Sequence, residues 1–257
     1  MKKSSPSDHT PIKTFASSEP QYHNAFEIFL RCTDQKVKAM QFIDRQVAML
    51  PKRDVFVDVG AGSGILTAHF AREFKTSIAI EPNPSLASEL RKHCPAVTVL
   101  PIPLDNVTLD CKANFILCSH VLYYLPSDKW LRSLELMASW LKVDGVLALA
   151  VQNPDTDCMK MLGHFTGGRF ELAGLREEFS ARNQGFATSI VTVPAMVRTH
   201  LREEACAIAE FMLNLLPMPC PPPMDEVASY VQNHFYREDV FEASCDQDFL
   251  LVTKTEG

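Results

Sequence analysis

The stretch Val55-Phe56-Val57-Asp58-Val59-Gly60-Ala61-Gly62-Ser63-Gly64-Ile65-Leu66 constrains the fold more than any other part of the chain. Five nearly apolar residues run straight into three glycines alternating with small residues, and a helical pattern follows at once. A β-branched run, a bare loop and a helix make one βα unit, which predicts a strand at Val55–Val59 and a helix near 65–74. Glycine is needed in such a loop where a ligand lies against the backbone, so that a Cβ would collide, or where φ is positive. A tight strand-to-helix turn with packing glycines needs the same residues and no ligand.

The same grammar repeats downstream. Further strands are expected at Ser77–Ile80, Val97–Leu100, Phe115–Ser119 and Val146–Val151, with helices near 84–93 and 127–142. Short apolar runs separated by helices predict a doubly wound, mostly parallel α/β sheet covered on both faces, whose ligand site lies at the carboxyl ends of the strands. Upstream, the apolar spacing of Phe26, Phe29, Leu30, Val37, Met40, Phe42, Ile43, Val47 and Leu50 predicts two helices with a break near Cys32-Thr33-Asp34.

Residues 1–20, rich in Ser, Pro and charge, read as a loose tail, and 21–257 as one domain whose segment 21–50 caps the site. Towards the C-terminus a strand is expected at Phe186–Val197, a helix at Leu201–Leu216, a stiff loop at 218–224, a helix at Asp225–Phe235 and a last strand at Asp248–Thr253. Residues 155–182, with four glycines, read either as a flexible insertion over the site or as a surface connection without a role.

A chain of 257 residues with 46% hydrophobic content buries a full core. Its net charge of −6 argues against nucleic acid or an anionic membrane as main partner, because phosphate binding depends on clustered Lys and Arg. The expected partner is a small molecule. The eight cysteines form no C-x-x-C pair, which speaks for reduced thiols and against a zinc site. No apolar leader follows Lys2-Lys3 and no long apolar span occurs, so a cytoplasmic location is expected.

The loop's spacing is G-x-G-x-G, and Ile65 stands where a dinucleotide fingerprint has its third glycine. It also lacks the G-K-[ST] ending of a phosphate-cradling loop. A nucleoside without phosphates fits better. Glu81 lies about twenty residues on, at the tip of the next strand, where it can accept from both ribose hydroxyls. The competing expectation is a charge at the N-terminus of the helix beginning at Pro84.

Asp58, the glycine loop, Glu81 and the later Leu141-Lys142-Val143-Asp144-Gly145-Val146-Leu147 together resemble the class I S-adenosylmethionine-dependent methyltransferases. The resemblance implies S-adenosyl-L-methionine as cofactor and a seven-stranded sheet that ends in an antiparallel pair. It implies a cofactor set of Asp58, Gly60, Ala61, Gly62, Gly64, Glu81 and Pro82, with Ser119 closing the fourth strand. Ile102 and Pro103 would pack on the adenine, and Asp105 would accept from its amino group.

His120, Tyr123 and Tyr124 follow the fourth strand, beside the expected methyl donor, and are the candidate catalytic residues. His120 has a side chain that titrates near neutrality and is a candidate base for a hydroxyl acceptor; alignment of an amine, or a structural role, remains open beside it. Tyr22-His23-Asn24-Ala25-Phe26-Glu27-Ile28-Phe29-Leu30, Thr33-Asp34, Glu81-Pro82, Leu122-Tyr123-Tyr124 and Pro221-Pro222-Pro223 are together similar to the histamine N-methyltransferase family. By that resemblance Asp34, His120 and Tyr124 would hold the substrate, with an amide expected near Cys245-Asp246. Three activities are therefore expected in competition: N-methylation of a small amine or imidazole, O-methylation with His120 as base, and a catalytically silent binding fold.

Overall fold

The computed structural model describes residues 10–15, 19–216 and 218–256. The chain begins with α1 Pro20–Cys32 and α2 Gln35–Met49, then β1 Val55–Val59, α3 Ile65–Phe70, β2 Thr76–Ile80, α4 Pro84–His93 and β3 Thr98–Leu100. Next come β4 Ala113–Ser119, α5 Trp130–Ser139, β5 Leu141–Gln152, α6 Asp157–Thr166, α7 Leu172–Arg182 and β6 Phe186–Val193. The remainder forms β7 Met196–Thr199, α8 Arg202–Leu213, α9 Met224–His234, β8 Tyr236–Arg237, β9 Val240–Ser244 and β10 Gln247–Lys254. These elements fall into two compact units where the sequence predicts one domain, and the expected cap segment 21–50 is divided between them after Lys36.

The larger unit comprises residues 37–152, 171–193 and 247–257 and contains a seven-stranded sheet in the order β3-β2-β1-β4-β5-β10-β6. β1 pairs in parallel with β2 and β4, whereas β10 runs antiparallel to both β5 and β6. This is the predicted doubly wound sheet with its antiparallel end. Phe56, Val57 and Val59 are almost wholly buried, because a central parallel strand is covered on both faces. On one face Ala39, Phe42, Ile43 and Val47 of α2 join Phe56, Phe70, Phe115, Phe249 and their neighbours in one apolar core, with the Phe42 and Phe249 rings 4.6 Å apart. α4 begins where Pro84 presets its first turn and the Asn83 side chain accepts from the amides of Ser85 and Leu86. Gly145 has no room for a Cβ, which would stand 2.8 Å from the Ala113 carbonyl oxygen at the irregular start of the β4–β5 pairing.

The smaller unit comprises residues 1–36, 153–170 and 194–246. Its antiparallel sheet has the order β7-β9-β8, and α1, α6 and α9 each pack on α8. Phe26 and Phe29 of α1 meet Phe211 of α8 at ring separations of 5.5 and 5.3 Å, so the helical periodicity of the first segment is spent on an aromatic seam.

Several expectations are corrected. Residues 10–15 are not a loose tail: Ile12 is 3% exposed, its amide donates to the Pro222 carbonyl, and Met224 donates to Thr10. One buried isoleucine and the backbone of the proline-rich segment supply the partners that composition did not foretell. Residues 1–9 and 16–18, the rest of that expected tail, lie outside the described residues. The single strand expected at 186–197 breaks at Pro194, which has no amide for a ladder, and yields β6 in one unit and β7 in the other. The segment 155–182 consists largely of two helices. α7 buries Leu172, Leu175 and Phe179 and packs on β6 and α5, so its part of the segment covers the sheet rather than serving as a lid. The β8–β9 hairpin escaped prediction because its turn, Glu238-Asp239, takes positive φ at both residues without the usual asparagine or glycine. Among the described residues no helix is long and apolar enough to cross a membrane.

Candidate active site

The parallel strands β1, β2 and β4 end on the same edge of the larger unit, and the glycine loop occupies the middle of that edge. Gly60 and Ala61 both donate to the Ile80 carbonyl, at 2.8 and 3.2 Å, which bends the chain off β1 against the tip of β2. Gly60, Gly62 and Gly64 have φ of 71, 57 and 90°, all in the left-handed region where a Cβ is penalised. Their surroundings differ. A Cβ on Gly60 would lie 2.3 Å from a Val121 methyl, and one on Gly64 would lie 2.5 Å from a Leu90 methyl. A Cβ on Gly62 would meet nothing within 4 Å. The sequence assigns all three glycines to close approach of a ligand; the structure assigns Gly60 and Gly64 to packing and leaves Gly62 alone facing open space.

Glu81 stands directly beside that opening. Its side chain is 6% exposed, Oε2 accepts from the Gly62 amide at 2.8 Å, and Oε1 accepts from the Asn83 amide at 2.9 Å. The N-cap of α4 is Asn83, so the alternative role for Glu81 as a helix-end charge falls to its neighbour. Pro82, next in line, is exposed. Asp58 lies beneath the loop, 3% exposed, accepting from the Thr67 hydroxyl at 2.6 Å. Burial pushes its carboxyl up to about 7, opposed by the Thr67 hydrogen bond and assisted by the Glu81 charge. Asp58 therefore supports the loop from behind by tying β1 to α3, where the sequence places it among the cofactor ligands.

The tip of β3 adjoins Glu81, whose amide donates to the Leu100 carbonyl at 3.1 Å. Beyond it, Ile102 is half-buried, Pro103 is exposed, and Asp105 sits in a short 3-10 turn with its carboxylate 3.8 Å from the Lys129 ammonium. An exposed ion pair of that length is weak, and a ligand group can compete for the carboxylate.

At the end of β4, Ser119 is half-buried and His120 adopts φ of 60°, an uncommon conformation for a residue with a side chain. The His120 amide donates to the Ala150 carbonyl at 2.9 Å. Its ring lies between the Tyr123 hydroxyl, 3.2 Å from Nδ1, and Gln247 Oε1, 2.9 Å from Nε2. Burial lowers the pKa of His120 below the usual imidazole range, with the Gln247 bond opposing. Tyr123 is buried, its oxygen accepts from the Gln152 amide, and burial raises its phenol. Tyr124 is 54% exposed. His120 and Tyr123 are thus brought together and hydrogen-bonded to each other.

Gln247 was missed. The family resemblance implies an amide near Cys245-Asp246; Gln247, the first residue of β10, lies one step further and is bonded to His120. A one-residue shift was not resolvable without the strand register, which sets Gln247 opposite Gln152.

Asp34 belongs to the smaller unit. Its carboxylate accepts from the Met196 amide at 2.8 Å and its own amide donates to the Met196 carbonyl at 3.3 Å. That pairing gives it a structural task at the α1–α2 junction, and the substrate role implied by resemblance is not carried forward. Among the described residues no group of three or more His, Cys, Asp or Glu is placed to hold a metal ion.

Residues 33–183 match the family model described as a methyltransferase domain, more than half of the chain. No curated protein is significantly similar to it in sequence. Among solved structures, YcgJ of Bacillus subtilis is 12% identical, with a TM-score of 0.60 over 83% of this chain and 98% of its own. The N-methyltransferase NodS of Bradyrhizobium japonicum, solved with S-adenosyl-L-homocysteine, is 10% identical, with a TM-score of 0.58 over 93% of this chain and all of its own. The plantazolicin methyltransferase BpumL is 10% identical, with a TM-score of 0.59 over 93% of each chain. At these identities the likeness extends to the fold and not to any acceptor.

Proposed function

The chain belongs to the methyltransferase-domain family, and from that premise we propose that it methylates a nitrogen of a small amine or imidazole compound, with S-adenosyl-L-methionine as donor. The residues fit that donor. The opening at Gly62 is a cradle that any Cβ would enter, and the buried Glu81 carboxylate lies at its edge with the acceptor capacity two ribose hydroxyls need. Asp105, Ile102 and Pro103 stand past the neighbouring strand tip, where a base would be held. When bound, the cofactor supplies an electrophilic methyl carbon.

One observation carries the choice of nitrogen. Both ring nitrogens of His120 are already hydrogen-bonded within the protein, which leaves neither free to take a proton from an acceptor. A hydroxyl acceptor needs a base to take its proton, whereas a neutral amine or imidazole brings its own lone pair. His120 in this arrangement is a fixed wall of the site, and the work left to the chain is to hold the acceptor in line and exclude water.

The test is incubation with methyl-labelled S-adenosylmethionine and a panel of biogenic amines, imidazoles, phenols and carboxylic acids. A product methylated on nitrogen is expected. A methyl on oxygen, or turnover confined to phenols and acids, overturns the proposal.

A further inference from the structure

We infer that Gln247 is a positioning residue that fixes His120 as the tautomer carrying its proton on Nε2, an inference that rests on the methyltransferase reading above. The hydrogen bonds run in one direction. The Gln152 amide donates to the Tyr123 oxygen, the Tyr123 hydroxyl is 3.2 Å from His120 Nδ1, and His120 Nε2 is 2.9 Å from Gln247 Oε1. The order is set at the Gln247 end: an amide oxygen can only accept, so Nε2 carries the proton, and in the neutral ring Nδ1 is left to accept from the Tyr123 hydroxyl. The Tyr123 proton goes to a bare Nδ1, and the Nε2 proton goes to Gln247.

Gln247 is 1% exposed and lies on the first residue of β10, paired in register with Gln152 and Val193 on the strands to either side. Its backbone is thereby set by two ladders of the central sheet. His120, by contrast, follows the end of its strand in a left-handed conformation that persists only where surroundings over-determine it. The side-chain bond to Gln247 and the backbone bond to Ala150 both fix it to the sheet. Val121, next in sequence, packs on Gly60, so a displaced His120 would disturb the loop beside Gly62 as well.

The experiment uses the full chain with 15N-labelled histidine and long-range proton–nitrogen correlation spectra at neutral pH, the His120 signals being assigned by their loss in His120→Gln. The expected wild-type spectrum shows His120 with Nε2 protonated and Nδ1 bare. Gln247→Met keeps the side-chain volume and removes the acceptor; a mixed tautomer and a kcat lowered about tenfold are expected, the worth of one buried hydrogen bond, with KM changed much less. Tyr123→Phe, which leaves Gln247 in place, is expected to retain the proton on Nε2. Wild-type His120 protonated on Nδ1 overturns the inference, and that measurement needs no variant to fold. Retention of the tautomer in Gln247→Met overturns it equally. If the spectra are as expected while the product carries its methyl on oxygen, the proposed acceptor fails and the role of Gln247 stands.

Discussion

The Glu81 carboxylate accepts the Gly62 amide at 2.8 Å, so the acid expected to hold a ribose also shapes the loop the nucleoside must approach. A substitution at Glu81 therefore acts twice. Glu81→Ala is expected to weaken S-adenosylmethionine binding by roughly 2–3 kcal/mol, about 30- to 150-fold, through the lost charged acceptor. Glu81→Gln, which keeps one acceptor oxygen, should lose about tenfold. Titration calorimetry measures both, and an unchanged dissociation constant for Glu81→Ala would place the ribose elsewhere.

Gly60 and Gly62 should respond oppositely. Gly60→Ala drives a Cβ to 2.3 Å from Val121 and is expected to cost on the order of 1–3 kcal/mol of stability, visible in thermal unfolding. The Cβ of Gly62→Val has open space around it, so this variant, strained by its φ of 57°, should stay folded but no longer bind cofactor. Unfolding of Gly62→Val with normal behaviour of Gly60→Ala would contradict this division of labour.

Asp58 sets a pH dependence of unusual sign. Its carboxyl ordinarily titrates at 3.8 and is raised to about 7 in the folded chain. The folded state then keeps a proton that the unfolded state has released, so this residue favours folding at acid pH and progressively less as pH rises from about 4 to about 7. The loss is on the order of 4 kcal/mol across that window. Asp58→Asn can still accept from Thr67 and should flatten the difference. Denaturant unfolding of both proteins across the window checks it; parallel stability curves would refute the raised carboxyl.

Because His120 is engaged at both nitrogens, the acid limb of kcat/KM should belong to the acceptor. Replacing one acceptor with another of different basicity should move the limb by the difference between their pKa values. A limb that stays fixed while acceptors change, and vanishes in His120→Ala, would restore His120 as a base.

What could be read from the sequence was whatever local pattern expresses. The apolar run into Gly60-x-Gly62-x-Gly64, with Glu81 at the next strand tip, is written in adjacent residues because a βα turn is built from neighbours. For the same reason the strands β1 to β5, the helices α1 and α2 and the antiparallel end of the sheet could be predicted from periodicity and family resemblance together. Pro194 was legible too, since its missing amide must end a ladder, yet it was read through.

Other features required contacts between residues distant in sequence. Nothing in the spacing of His120 and Gln247, 127 residues apart, announces their bond; it exists because β10 inserts between β5 and β6. Nor does the loop say which of its glycines faces open space: Val121 and Leu90 fill the room beside Gly60 and Gly64, and both arrive from other elements. The sequence by itself determined that a glycine loop and an acid lie on one sheet edge. Only the tertiary structure decided that both His120 nitrogens are committed, because the groups that bond them come from separate elements and meet only when the sheet closes.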